Sequence, residues 1–114
     1  MRYTSDMQWT IRTFGRVVDD EIADLPPDLG ARILDLFDNI ELLGLEVLRE
    51  PHVKHIEGKL WELRVKGKES IARGLYVTVT GRVVVVLHVF EKKSQKMPRR
   101  ALDLARQRMK KVVG

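Results

Sequence analysis

The feature that most constrains this fold is a change in hydrophobic period at residue 59. In "KLWELRV" (residues 59–65), Trp61, Leu63 and Val65 recur at every second position, which is typical of a strand with one buried face. The segments "SIARGLYVTV" and "VVVVLHVF" read as two further strands, separated by turns at "KGKE" and "TGR". These three strands predict an antiparallel meander. The last strand is apolar on both faces and should be the most buried.

The residues before the meander predict one strand and two helices. "MQWTIRTF" (residues 7–14) alternates as a strand does, and "GRVVDDEIADL" predicts a short helix that ends before Pro26 and Pro27. The prolines and Asp28 then open a longer helix that ends at Gly44. Its apolar stripe is formed by Leu29, Ile33, Leu36, Phe37, Ile40 and Leu43.

The remaining segments complete a single domain over residues 1–114. Residues 45–58 read as a connector, interrupted by Pro51. Pro98 opens a C-terminal helix with one apolar side, formed by Leu102, Ala105, Met109 and Val112. The predicted class is α+β: an N-terminal strand and two helices packed on a small antiparallel sheet, with a C-terminal helix.

Charge is divided unevenly along the chain. Residues 1–50 hold 5 Lys and Arg against 11 Asp and Glu, a net charge of −6, whereas residues 51–114 hold 16 against 5, a net charge of +11. A basic half of this size is typical of contact with nucleic acid or with an acidic protein, although a solvated surface would look the same in composition.

Several classes of protein are disfavoured by composition. The chain has no cysteine, so it forms no disulfide and uses no thiol chemistry. His52, His55 and His88 do not have a recognised zinc spacing. No apolar run approaches the roughly 20 residues of a membrane span, and the N-terminus has no signal-peptide core. We therefore expect a cytoplasmic protein that uses no metal or organic cofactor and does not contact a membrane.

Basic side chains concentrate on and around the predicted sheet, whereas the usual catalytic motifs, such as a G-x-S-x-G elbow or a phosphate-binding glycine loop, are missing. Arg73 stands between Ile71 and Leu75, so it projects among apolar side chains unless Gly74 marks a bulge. The basic set, with one tyrosine among it, comprises Lys59, Arg64, Arg73, Tyr76, His88, Lys92, Lys93 and Lys96.

The segments "LWELRV", "ARGLYV" and "VVLHVFEKKSQKMPRRALDLARQRM" resemble the HigB branch of the RelE/ParE superfamily of bacterial toxins. The resemblance implies a basic sheet face that cleaves messenger RNA on the ribosome. It also implies neutralisation by a helix-turn-helix (HigA-like) antitoxin. A hetero-oligomer of toxin and antitoxin is compatible with this resemblance. Met97 departs from the pattern, because members often have a threonine there that caps the following helix.

RNA cleavage by the neighbouring 2′-hydroxyl requires a base, cations that stabilise the charge on phosphorus and a proton for the leaving oxygen. Arg64 and Arg73 suit charge stabilisation, and His88 exchanges protons near neutral pH. Lys92 and Lys93 repel each other, which favours their acting as acid or base. The residues expected to bind RNA are Lys59, Tyr76, Lys96, Arg99 and Arg100.

Structural roles compete with these assignments, and other functions share the fold. His88 is equally well explained as a packed core histidine, and Tyr76 is better explained by packing. Glu62 most simply pairs with Arg64 or with a neighbouring lysine. Trp61 and Phe90 are assigned to the core. The alternative functions are a ParE-like inhibitor of DNA gyrase and an inactive relative that only binds its antitoxin.

Overall fold

The computed structural model describes residues 8–49, 51–92 and 96–113. The strands are β1 Thr10–Thr13, β2 Val53–Glu57, β3 Leu60–Lys66, β4 Ile71–Val79 and β5 Val83–Lys92. The helices are α1 Arg16–Ala23, α2 Pro27–Leu43 and α3 Arg99–Val113, and a 3₁₀ turn spans Leu45–Val47. The predicted α+β class is confirmed, with its N-terminal strand, two helices, antiparallel meander and C-terminal helix.

The five strands form one mixed sheet in the order β1-β5-β4-β3-β2. β1 is parallel to β5 at one edge, and it is shorter than the predicted residues 7–14, of which Met7 lies outside the described residues. β2 pairs antiparallel with β3 at the other edge, so the prediction that residues 45–58 form only a connector was wrong. Alternation is weak in β2 because Lys54 and His55 are both exposed, and pairing with β3 determines its conformation.

One face of the sheet packs against α1 and α2. Side chains that alternate along β3, β4 and β5 join the helix stripe in a common core. The buried residues of α1 and α2 in this core are Val18, Leu29, Ile33, Leu36, Phe37 and Ile40, and Leu25 of the connection between the two helices joins them. Gly44 ends α2 with a φ of 94°, a backbone conformation that favours glycine. Leu43 was wrongly placed on the buried stripe: it is 64% exposed, since the last turn of α2 extends beyond the core that buries Ile40.

The opposite face of the sheet packs against α3, and we call it the α3 face. Its core contains Leu60, Leu75, Val77, Val85, Leu87 and Ala105, with Leu102, Met109 and Val112 against it as predicted. β5 is therefore covered on both faces, which confirms the prediction that this strand is buried on both sides. Within the described parts of the chain, no helix combines the length and the hydrophobicity that crossing a bilayer requires.

Candidate functional site

A charged cluster lies on the α3 face of β3 and β4. Glu62, Arg64 and Arg73 alternate with residues whose side chains lie in the α1/α2 core, so strand geometry directs all three to the other face. Glu62 Oε1 lies 3.6 Å from Arg64 Nε, and Glu62 Oε2 lies 3.4 Å from Arg73 Nε. In register, Arg73 pairs with Arg64 on one side and with Phe90 on the other. One carboxylate thus lies between two guanidinium groups, beside an aromatic ring.

Burial dominates the electrostatics of this cluster. The side chains of Glu62 and Arg73 are each 2% exposed, whereas that of Arg64 is 17% exposed. Burial raises the pKa of Glu62, against the opposing effect of Arg73, Arg64 and Lys54, and burial also lowers the pKa of Arg73. Arg64 is therefore the guanidinium that a ligand reaches most readily, and the buried Glu62 carboxylate lies between it and Arg73.

A β-bulge in β5 decides between the two orientations predicted for Arg73, which depended on whether Gly74 marks a bulge. Gly74 keeps regular pairing with Leu63 and Val89, so it does not mark a bulge. The register instead shifts farther along β5, where Leu87 is the extra residue between the partners of Leu75 and Tyr76. Arg73 consequently projects among the side chains of the sheet face, the first of the two predicted possibilities.

The bulge brings His88 against α1. His88 Nδ1 lies 3.0 Å from Glu21 Oε1, and the imidazole ring stacks on Phe90 with centroids 5.1 Å apart. The same Glu21 oxygen accepts a hydrogen bond from the Val89 N–H. Arg108 of α3 donates from Nη1 to Glu21 Oε2 and to the Leu87 carbonyl. His88 is thus 14% exposed and held by a carboxylate, an arrangement compatible with either a packed or a reactive histidine.

The other predicted basic residues are dispersed. Lys92 is partly buried at the end of β5 and pairs in register with Ile71, whereas Lys93 lies outside the described residues. Lys59 is exposed in the β2–β3 turn, at the far end of β3 from Arg64. Exposed cations also precede and begin α3, namely Lys96, Arg99 and Arg100.

Tyr76 does not lie with the charged cluster. It is 1% exposed in the α1/α2 core, and burial raises its pKa well above the usual range for tyrosine. It lines a cavity of about 350 Å³ together with Trp9 and Trp61, on the face opposite Arg73. Trp61 is 38% exposed, so its assignment to the core was wrong. The structure therefore gives Tyr76 a packing environment, not access to a base.

Three residues near these charges were not identified from the sequence. Lys54 pairs in register with Glu62, but the strand that carries it was not recognised. Glu21 contacts His88, and Arg108 contacts Glu21, only through tertiary structure, because Glu21 and Arg108 lie 67 and 20 positions from His88 along the chain. Among the described residues, no group of three or more His, Asp or Glu side chains is arranged to hold a metal ion.

These observations define a small α+β protein that presents positive charge on one face of a mixed sheet. The chain belongs to the phage-derived Gp49-like protein family (DUF891), whose model matches residues 20–110. This family is of the RelE/HigB-like toxin type. No curated protein shows significant similarity to the sequence.

Proposed function

We propose that this protein is the toxin of a toxin–antitoxin pair and that it cleaves messenger RNA on the ribosome. The observation that carries the proposal is the charged cluster, in which the buried carboxylate of Glu62 lies between the buried Arg73 and the more exposed Arg64. A guanidinium stays protonated and contacts phosphate through two N–H groups, so this arrangement suits a phosphodiester. The family and the net charge of +11 over residues 51–114 support the same target.

In the proposed reaction, the 2′-hydroxyl of one nucleotide attacks the adjacent phosphorus, and Arg64 stabilises the added negative charge. Arg73 acts as a positioning residue, because Glu62 lies between the two guanidinium groups. His88 accepts the hydroxyl proton: if its Nδ1–H donates to Glu21, its Nε2 is left as the acceptor. Lys92 or Lys93 supplies the proton to the leaving 5′-oxygen.

A helix-turn-helix antitoxin would neutralise this activity. The proposed reaction needs neither a metal nor an organic cofactor. A toxin that inhibits gyrase through protein contacts would use the same fold but would leave messages intact.

The test is to induce the protein in a bacterial host and to map new 5′ ends across the transcriptome. Arg64→Ala is the informative variant, and Arg12→Ala is its matched control, since Arg12 is exposed on β1 at the other edge of the sheet. We expect new ends inside translated frames with the unsubstituted protein and with Arg12→Ala, and their loss with Arg64→Ala. Growth arrest with intact messages would contradict the proposal and favour gyrase or another protein target.

A further inference from the structure

A groove of about 350 Å³ lies at the β3 edge of the sheet, next to the charged cluster. Arg64 belongs to both, so a ligand bound to the cluster has direct access to the groove. The other lining residues are Pro51, His52, Val65, Lys66 and Ile71. The groove therefore combines two cations and an imidazole with three apolar side chains.

The pairing of β2 explains why the groove is open. β2 begins at Val53, and the Arg64 N–H donates to the His52 carbonyl at 2.9 Å just before it. β3 continues to Lys66, but no described residue of β2 pairs with Val65 or Lys66. The edge of the sheet is thus accessible at this end, and Pro51, which has no N–H to pair with it, lines the groove there.

The groove continues around the edge of the sheet. His52, Val65 and Lys66 also line a neighbouring depression of about 310 Å³. Its far wall is formed by α2 and includes Arg32 and Asn39, together with Asp35 and Leu36. The two depressions form a continuous surface from the charged cluster toward α2, a shape that fits an extended chain better than a compact anion.

The chemistry of this surface matches a nucleotide. Lys66 is exposed and lies two residues from Arg64 on the same face of β3, so the two cations can contact successive phosphates. Pro51 and Ile71 offer an apolar surface to a base or a ribose, and the buried Val65 also lines the groove. The imidazole of His52 can stack on a base or hydrogen-bond to its edge, which is how proteins commonly read unpaired RNA.

We propose that this groove binds the nucleotide next to the bond that is cleaved. Arg64 and Lys66 contact its phosphates, and His52 contributes to the base preference of cleavage. This inference rests on the proposed ribonuclease function and extends it to the choice of substrate.

The experiment compares four proteins: the unsubstituted chain, His52→Ala, Lys66→Ala and the control Lys110→Ala, whose lysine is exposed on α3. Both groove side chains are exposed, so we expect all four proteins to fold. Each is induced in cells for mapping of 5′ ends and is purified to measure its affinity for single-stranded RNA seven nucleotides long across salt concentrations.

We expect Lys66→Ala to weaken RNA binding and to reduce the slope of log affinity against log salt by about one, as the loss of a single phosphate contact does. His52→Ala should keep cleaving but should relax the base preference at one position beside the cut. Lys110→Ala should match the unsubstituted protein.

The outcomes separate this inference from the function on which it rests. If the unsubstituted protein cleaves messages but His52→Ala and Lys66→Ala retain its affinity, salt slope and base preference, the groove is not a nucleotide site and the ribonuclease function stands. If the unsubstituted protein neither binds RNA nor produces new ends, both proposals are overturned.

Discussion

The α3 face of the sheet has two halves that differ in how they bury side chains. In the apolar half, Leu60, Val77 and Val85 pack beneath α3, and burial of each such side chain contributes about 1.5–3 kcal/mol. In the charged half, Glu62 and Arg73 are buried as deeply. An ion pair removed from water usually stabilises a protein no more than apolar residues of similar volume would. The apolar half therefore accounts for stability, whereas burial of the ion pair in the charged half is better explained by a role in binding an anion.

The largest effect should come from Glu62→Ala. This change leaves Arg73 buried without the carboxylate that lies 3.4 Å away, and breaking a buried pair in this way typically costs about 3–5 kcal/mol. The free energy of unfolding in urea measures the effect. Glu69→Ala is the matched control, because Glu69 is exposed in the β3–β4 turn and should change stability little.

The double variant Glu62→Leu with Arg73→Met sharpens the comparison. It extends the apolar half into the charged half, so we expect stability close to or above that of the unsubstituted protein. Growth inhibition should nevertheless be lost. A double variant as unstable as Glu62→Ala would show that the charges are required for folding, and it would remove the contrast between the two halves.

Arg108→Ala, on α3, should lower the free energy of unfolding by a smaller amount. Arg108 is 12% exposed and donates to Glu21 and to the Leu87 carbonyl, so it ties α3 to the bulge of β5. Loss of a hydrogen bond to a charged group costs about 1.5–3 kcal/mol. Urea unfolding should resolve this loss against Lys111→Ala, an exposed position on the same helix. Equal stability of the two variants would show that the contact does not hold α3 in place.

The smallest effect is a pH dependence that arises from Glu62. Burial raises its pKa in the folded state above the ordinary value of 4.5, so the folded protein holds this proton more tightly than the unfolded chain does. Stability should therefore fall as pH rises from about 4.5 through the raised pKa. Glu62→Gln lacks this titration, so the stability difference between the two proteins isolates it. If the stability difference stays constant as pH rises, or grows in favour of the unsubstituted protein, the raised pKa of Glu62 is contradicted.

The sequence predicted the meander and the three helices because their hydrophobic periods were strong. β2 was missed because an edge strand with Lys54 and His55 exposed has little alternation. The parallel pairing of β1 with β5 depends on contacts distant in sequence, which periodicity does not encode.

The site was predicted less completely than the fold. Strand parity indicated correctly that Glu62 and Arg64 share a face, but burial of Arg73 and the separation of Tyr76 from it depend on packing. The bulge at Leu87 also brings His88 to Glu21, and no sequence pattern around His88 predicts this contact. Side chains on one strand can be placed by parity, whereas clusters that join several elements require the three-dimensional structure.

The most direct test of the central claim is the chemistry of the RNA ends produced by the purified protein on ribosomes that carry a defined message. Attack by the 2′-hydroxyl leaves a 2′,3′-cyclic phosphate on the upstream fragment and a 5′-hydroxyl on the downstream fragment. We predict these ends for the unsubstituted protein and an intact message for Arg64→Ala. An intact message with both proteins, or fragments that carry 5′-phosphates, would contradict the assignment of the charged half as the site of RNA cleavage.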